Sequence, residues 1–140
     1  MPSHRSFIDS GVLLAAFRAA GQLAENALNV LGDTDRQFVT SDFVRLELLP
    51  KPICYGNNEE RRFYETFFAS VEHVVRASHS LIDDAQREAE TVGLSAMDAL
   101  HIAAAKQAGC DEFVTAEKST KPLFRVAGIT ITTVRPPSTA

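Results

Sequence analysis

The stretch LSAMDALHIAAAKQAGCDEFVT, residues 94–115, decides the fold of this chain. Ser95 and Asp98 match the S-x-x-D pattern, in which a hydroxyl caps a helix and an acid occupies its first turn. The alanine-rich run that follows predicts a helix, and DEFVT at 111–115 predicts a short buried strand directly after it. The pattern leaves open whether Asp98 only caps this helix or also points its carboxylate at a ligand.

The rest of the chain repeats this alternation of short apolar strands and amphipathic helices. Further strands are predicted to end at Ile8 and to cover 37–40, 72–77 and 129–134. Helices are predicted after Asp9, over 23–31, over 42–49 up to Pro50, over 61–70 and over 80–92, and a loop is predicted at 51–62. Such alternation favours a parallel sheet covered on both faces. We therefore expect an α/β fold, a single-domain three-layer α/β/α sandwich with a mainly parallel sheet over 1–135, and a disordered tail at 136–140.

Composition narrows the class of protein. The 140 residues are 45% hydrophobic and 23% charged, as is usual for a globular domain. A net charge of -4 argues against a protein wrapped in nucleic acid, although a local basic patch is compatible with it. Cys54 and Cys110 fit no metal-binding pattern and are expected to be reduced thiols. No apolar run reaches the ~18 residues that span a bilayer, so a cytoplasmic protein is expected.

Four acidic residues fall where parallel strands end. Asp9 follows the first strand, Glu47 lies in the helix after the second, Asp98 begins the alanine-rich helix, and Glu117 follows Thr115. Ligands of open α/β sheets gather at the carboxyl ends of the strands. Asp9, Asp98 and Glu117 are thus expected on one rim, and Glu47 joins them if its helix packs across that edge. The alternatives are a helix cap for Asp9, an exposed side chain for Glu47 and a plain loop acid for Glu117.

The other acids are expected to be solvated. They are Asp33, Asp35, Glu59, Glu60, Asp83, Asp84, Glu88 and Glu90.

Converging carboxylates have a chemical consequence. Each raises the pKa of the others unless a cation compensates for their charge. Oxygen ligands suit Mg²⁺ or Mn²⁺, which can activate a bound water for in-line attack on a phosphodiester. If the four acids converge, a metal-dependent phosphodiesterase needs no nucleophilic side chain.

The stretches FIDSGVLLAAF, FVTSDFVRLELLP and SAMDALHIAAAKQAGCDEFVTAEK resemble, in order and spacing, the motifs of PIN domains. The chain looks most like the toxins of the VapC type, over about residues 5–134. The resemblance implies a metal-dependent endoribonuclease with the acidic quartet Asp9, Glu47, Asp98 and Glu117. The family usually has Asp at the fourth position, so Glu117 departs from it by one methylene, and activity is either retained or reduced. The resemblance also implies an antitoxin protein as inhibitor and a homodimer.

Several polar residues near the quartet have more open roles. Ser10 and Thr115 could support the acids by hydrogen bonding, or make only local bonds. His101 is expected to be buried or supporting, because no nucleophile elbow surrounds Ser10 as a Ser–His–Asp site would require. Candidate phosphate contacts to RNA are Arg45, Lys51, Arg61, Arg62, Lys118 and Lys121, although no RNA-binding residue is assigned.

Two other functions compete with the nuclease. One is a PIN-like RNA- or protein-binding module, stand-alone or with a metal site weakened by Glu117. The other is phosphotransfer through Asp9 as a covalent nucleophile, but Gly11 occupies the position where a D-x-D motif needs its second acid.

Overall fold

Five parallel strands form the centre of the computed structural model, which describes residues 4–137. The strands are β1 His4–Ile8, β2 Arg36–Ser41, β3 His73–Val75, β4 Glu112–Thr115 and β5 Thr130–Thr133. Their order in the sheet is β3-β2-β1-β4-β5, and every pairing is parallel. Phe7 of the central strand pairs with Val39 on one side and Phe113 on the other. The predicted α/β class and parallel sheet are confirmed.

Seven α-helices and one 3₁₀ turn surround the sheet in the described range. They are α1 Ser10–Arg18, α2 Gly21–Leu31, α3 Asp42–Leu48, α4 Pro50–Cys54, α5 Asn58–Ser70, α6 His79–Val92, α7 Ala96–Gln107 and the 3₁₀ turn Pro122–Arg125. Residues 136 and 137 of the expected tail have no regular structure, and 138–140 lie outside the described residues.

The core explains why the strands are apolar on both faces. Phe7 and Ile8 are consecutive, so their side chains point to opposite faces of the sheet, and both are completely buried. Phe7 stacks on Phe113, with ring centroids 5.5 Å apart. Burying each such side chain contributes roughly 1.5–3 kcal/mol, before the entropy of ordering it is subtracted. On α7 the run 103–105 is wholly buried alanine, whose small side chains let a helix pack closely.

The structure corrects the predicted loop at 51–62. Residues 50–54 form a short helix instead, and the next helix begins at Asn58 rather than near Arg61. Pro50 occupies the first position of α4, where proline has no N–H to lose and its fixed φ fits a helix. The proline that ends one helix thus also begins the next.

Glu60 is a second correction, because the expectation of a solvated side chain is wrong. Its residue is 5% exposed, and its Oε2 accepts hydrogen bonds from the Tyr64 hydroxyl at 2.6 Å and from Arg18 at 2.8 Å. Tyr64 lies one helical turn away, but Arg18 comes from α1 and is 42 positions distant. A buried carboxylate needs such partners, and a distant partner is not visible in the local pattern.

The parallel arrangement brings three strand ends to the same rim. Asp9 directly follows β1, α3 directly follows β2, and Ala116 directly follows β4. The Ser41 hydroxyl accepts from the backbone N–H of Val44 at 3.3 Å and caps α3 as it leaves the rim. This helix packs against both α1 and α7, which carries Glu47 across the edge of the sheet.

Candidate active site

A cavity of about 380 Å³ opens at the carboxyl rim of the sheet, and all four acids of the predicted quartet line it. They are Asp9, Glu47, Asp98 and Glu117. The other hydrogen-bonding or charged side chains in its lining are Ser10, Thr115, His101 and Arg135. The cavity is therefore strongly acidic, with four carboxylates against one arginine.

Asp9 is the most buried of the four acids, at 7% exposure. It stands at the N-cap position of α1, but its side chain makes no capping hydrogen bond, so the cap alternative is wrong. Instead its Oδ2 accepts a hydrogen bond from the Thr115 hydroxyl at 3.0 Å. Its Oδ1 accepts none from the residues that the structure describes. Burial raises the pKa of Asp9 to about 6, against the opposing effects of His101 and Thr115, and the charges of Asp98 and Glu47 add to the rise.

Glu47 and His101 form a hydrogen-bonded pair across the cavity. His101 is 1% exposed, and its Nε2 lies 2.6 Å from Glu47 Oε1 and 3.8 Å from Asp9 Oδ1. Because an ionised carboxylate only accepts hydrogen bonds, Nε2–H is assigned as the donor to Glu47, while Nδ1 is buried without a partner among residues 4–137. This hydrogen bond lowers the pKa of Glu47, although partial burial acts in the opposite direction. The Glu47 side chain is still 34% exposed, so it is both solvated and held.

Asp98 combines the two roles that the sequence left open. Its backbone N–H donates to the Ser95 hydroxyl at 3.4 Å, which is the expected cap of α7. Its half-buried carboxylate lines the cavity and lies close enough for its charge to raise the pKa of Asp9. A first-turn carboxylate is also favoured by the partial positive charge at a helix N-terminus.

Glu117 is fixed through its backbone. Its N–H donates to the Thr115 hydroxyl at 3.1 Å, and its carbonyl accepts from the Thr133 hydroxyl at 2.7 Å. Thr115, which is completely buried, therefore holds Asp9 through one hydrogen bond and the Glu117 backbone through another. These placements locate the quartet, while its roles in metal binding and catalysis stay predictions.

Three of the lining residues could share one cation. Asp9, Glu47 and His101 each offer a ligand atom, and these atoms all lie within 4.8 Å of one another. His101 Nε2 can bind a cation such as Mn²⁺ only in place of its hydrogen bond to Glu47, whereas the carboxylate oxygens of the four acids fit Mg²⁺ or Mn²⁺ with that bond kept. The Asp9 oxygen that accepts no hydrogen bond supports this fit, because it is the oxygen left for a cation. The expectation of a buried or supporting His101 agrees with its 1% exposure and its hydrogen bond to Glu47. The sequence did not predict that its ring would also offer a ligand atom within 4.8 Å of those of Asp9 and Glu47.

The PIN domain family model matches residues 6–127, nearly the whole described chain. The chain belongs to the PIN domain family. The resemblance drawn from the sequence motifs is therefore confirmed, and the PIN match contains all four acids. The sequence has no significant match among curated proteins.

Several solved structures share this fold. VapBC2 from Rickettsia felis, bound to a DNA fragment from its promoter, is 16% identical with a TM-score of 0.65, covering 92% of this chain and 98% of that one. FitAcB from Neisseria gonorrhoeae is 17% identical with a TM-score of 0.66, covering 92% and 97%. VapC20 from Mycobacterium tuberculosis, described as a Sarcin-Ricin loop cleaving toxin, is 16% identical with a TM-score of 0.62, covering 89% and 96%. At these identities the likeness establishes the PIN fold.

In this PIN domain, Ser10 is not arranged as a nucleophile. His101 Nε2 is bonded to Glu47, and no hydrogen bond joins Ser10 to His101 within the described range. A Ser–His–Asp site needs that bond, so the geometry opposes this alternative. Ser10 lines the cavity and, after the larger effects of His101 and burial, helps to lower the pKa of Glu47.

The basic residues named from the sequence lie elsewhere on the PIN domain. None of the six candidates lines the acidic cavity. Arg45 stacks over the Phe68 ring at 5.3 Å, and Arg61 pairs with Glu65 one helical turn away. The arginine that does reach the cavity is Arg135, which the sequence pattern did not single out.

No helix among residues 4–137 combines the length and the apolar character that crossing a membrane requires.

Proposed function

We propose that this PIN domain is a metal-dependent endoribonuclease that uses Mg²⁺ or Mn²⁺ to hydrolyse RNA phosphodiesters. The observation that carries the proposal is the convergence of Asp9, Glu47, Asp98 and Glu117 on one cavity at the carboxyl rim. Carboxylates this close to a buried acid repel one another, and a bound cation would offset that repulsion. A divalent cation held by carboxylates can also assist hydrolysis of a phosphodiester.

The proposed cation site is built from the chain's own oxygens. Asp9 and Glu47, joined by His101, form the tight part of the site, and Asp98 and Glu117 extend it along the cavity. A bound divalent cation would supply the positive charge that activates water and stabilises the negative charge developing on the phosphodiester.

The supporting side chains orient these acids. The Thr115 hydroxyl donates to one oxygen of Asp9 and so turns the other toward a ligand. His101 donates to Oε1 of Glu47, which fixes a long, partly exposed side chain that would otherwise sample several rotamers. Such oriented carboxylates bind a cation with less loss of entropy.

We also propose that the protein is the toxin of a type II toxin–antitoxin pair. The solved VapBC2 and FitAcB structures with this fold belong to such pairs, and VapC20 is described as an RNA-cleaving toxin. The expected inhibitor is an antitoxin protein with a segment that occupies the acidic cavity. A short open reading frame adjacent to this gene, encoding a protein that copurifies with it, is the expected finding.

A homodimer in the cytoplasm completes the proposal. An apolar groove of about 380 Å³ lies between α3, α6 and α7, and Ile82 on its edge is 53% exposed, which suits contact with a second copy. Cys54 and Cys110 are both free thiols, which is compatible with the reducing cytoplasm. Sedimentation velocity tests the dimer, and Ile82→Glu is expected to shift it toward the monomer.

The nuclease is tested with purified protein, a structured RNA and added Mn²⁺. The wild type is expected to cleave the RNA, EDTA to stop the cleavage, and Asp9→Asn to abolish it. Asp83→Asn is the matched control, because it removes the same charge from an exposed acid outside the cavity. Equal cleavage by the wild type and Asp9→Asn would mean that the activity is a contaminant.

One observation favours a second candidate, a PIN-like binding module with a weakened metal site. Neither Glu117, the residue that departs from the usual aspartate, nor Asp98 is among the residues whose ligand atoms cluster within 4.8 Å, so the tight part of the site holds two of the four acids. Titration calorimetry separates the two candidates, because a module without catalysis is expected to bind no Mn²⁺ at millimolar concentration.

A further inference from the structure

Arg135 is the one lysine or arginine among the described residues that lines the acidic cavity. It lies beyond β5 and outside the 6–127 range of the family match. A guanidinium among four carboxylates is expected to form an ion pair, but Arg135 forms none with any residue in 4–137, where Arg18 and Arg36 both pair with acids. Its charge is therefore not used within the described fold.

The residue is nevertheless held in place. Its backbone N–H donates to the Thr133 hydroxyl at 3.1 Å, and its side-chain Nε donates to the Ala116 carbonyl at 2.9 Å. The preceding residue, Val134, is 3% exposed, and its N–H donates to the Thr115 carbonyl at 2.9 Å. These bonds hold the Arg135 backbone to Thr133 and one edge of its guanidinium to Ala116, the residue before Glu117.

The anchoring leaves the two terminal nitrogens free for a ligand. No hydrogen bond from Nη1 or Nη2 of Arg135 to another described residue is present, while Nε is engaged. A guanidinium in this state offers two parallel N–H groups, the arrangement that recognises the non-bridging oxygens of a phosphate. The acidic lining repels an RNA backbone, so an exposed cation in the same lining lowers the electrostatic cost of bringing a phosphate to the cavity.

We propose that Arg135 binds a phosphate of the RNA substrate and places the backbone against the acidic quartet; this rests on the ribonuclease function proposed above. The competing role for Arg135 is structural, as a counter-charge that holds the end of β5 near Glu117. An Arg135→Lys substitution distinguishes the two roles. Lysine keeps the charge that attracts a phosphate, but it has no Nε–H to donate to Ala116.

The test measures RNA binding without cleavage. Arg135→Ala, Arg135→Lys and the control Arg125→Ala are each made in an Asp98→Asn background, and a fluorescein-labelled 12-nucleotide RNA is titrated with Mn²⁺ present by fluorescence anisotropy. Arg125 is exposed and outside the cavity, so its removal changes the net charge equally. We expect Arg135→Ala to weaken binding about tenfold and to reduce the slope of log K against log salt by about 0.7, the value for one phosphate contact on a single strand. Arg135→Lys is expected to keep the slope, and Arg125→Ala to bind like the parent.

Two results would overturn the inference. The first is equal RNA affinity and salt slope for Arg135→Ala and Arg125→Ala. The second is a loss of RNA binding in both Arg135 variants together with a lower Tm, which indicates the structural role. Cleavage by the otherwise wild-type protein is assayed in parallel: if it cleaves while Arg135→Ala binds like the control, only the role of Arg135 fails. If it does not cleave, the ribonuclease proposal fails, and the role of Arg135 with it.

Discussion

Replacing Asp9 with asparagine should stabilise the metal-free protein at neutral pH. Asp9 is buried, and its pKa of about 6 in the folded state lies above the ordinary value of 3.8. The folded protein therefore binds more protons than the unfolded chain between these values. The favourable contribution is complete below pH 3.8 and is lost as the pH rises to 6. The cause is the cost of a carboxylate removed from water beside two other acids.

The size of the effect follows from the shift. A difference of about 2.2 pKa units at 1.36 kcal/mol each gives about 3 kcal/mol at pH 7.5, and the same relation gives about 1 kcal/mol at pH 4.5. Asparagine retains an oxygen that accepts from Thr115, so the variant keeps that hydrogen bond. We expect Asp9→Asn to exceed the wild type in free energy of unfolding by up to about 3 kcal/mol at pH 7.5, and by about 2 kcal/mol less at pH 4.5.

Urea denaturation in EDTA at the two pH values measures this difference. Asp83→Asn, at an exposed acid, is the control and should show no dependence on pH beyond that of the wild type. Mn²⁺ added at about 1,000 times Kd should reverse the order, because binding at that concentration stabilises the wild type by about 4.1 kcal/mol and the variant much less. If Asp9→Asn is no more stable than the wild type at pH 7.5 in EDTA, the reasoning about a strained acidic cavity is wrong.

Three further predictions concern single side chains. His101→Ala should lower the affinity for Mn²⁺ by 10- to 100-fold in calorimetry, because Glu47 loses its orienting hydrogen bond, whereas His101→Gln retains a donor and should lose less; equal affinities would contradict the role of His101. Glu117→Gln should reduce RNA cleavage on the order of tenfold while Glu117→Asp preserves it, and undiminished cleavage by Glu117→Gln would exclude Glu117 from the site. At Glu112, burial alone would raise the pKa, but hydrogen bonds from Arg36 and two hydroxyls lower it to about 2, so this residue contributes stability above pH 4.5 that is lost as the pH falls toward 2. Between pH 4.5 and pH 2, Glu112→Gln should therefore lose up to about 3 kcal/mol less free energy of unfolding than the wild type does. If the free energies of unfolding of the two proteins fall in parallel with pH, the lowered pKa of Glu112 is refuted.

The sequence predicts the sheet well because its signals are local. Apolar runs of four to six residues, each followed by a helix pattern, indicate a buried parallel strand wherever they occur. The Ser95 cap of α7 is also local, since the hydroxyl and the N–H it accepts are three residues apart. Pro50 was misleading because proline both ends a helix and begins one, and only packing decides which follows.

The contacts that shape the site are the part that sequence patterns miss. The Glu47–His101 bond joins residues 54 positions apart, and the Thr115–Asp9 bond joins residues 106 apart. The arginine in the cavity belongs to a segment after β5, where its position depends on hydrogen bonds to Ala116 and Thr133. Topology thus brings the acids to one rim, but their partners follow from three-dimensional packing.

The most direct test of the central claim is cleavage of a defined RNA by the purified protein with Mn²⁺, with Asp98→Asn and Asp83→Asn compared at equal concentration. We expect cleavage by the wild type and by Asp83→Asn and no cleavage in EDTA. Asp98→Asn should cleave at least a hundredfold more slowly, a loss on the order of 2.7 kcal/mol or more of transition-state stabilisation. Cleavage by Asp98→Asn at the wild-type rate, or an intact RNA with every protein, would contradict the central claim.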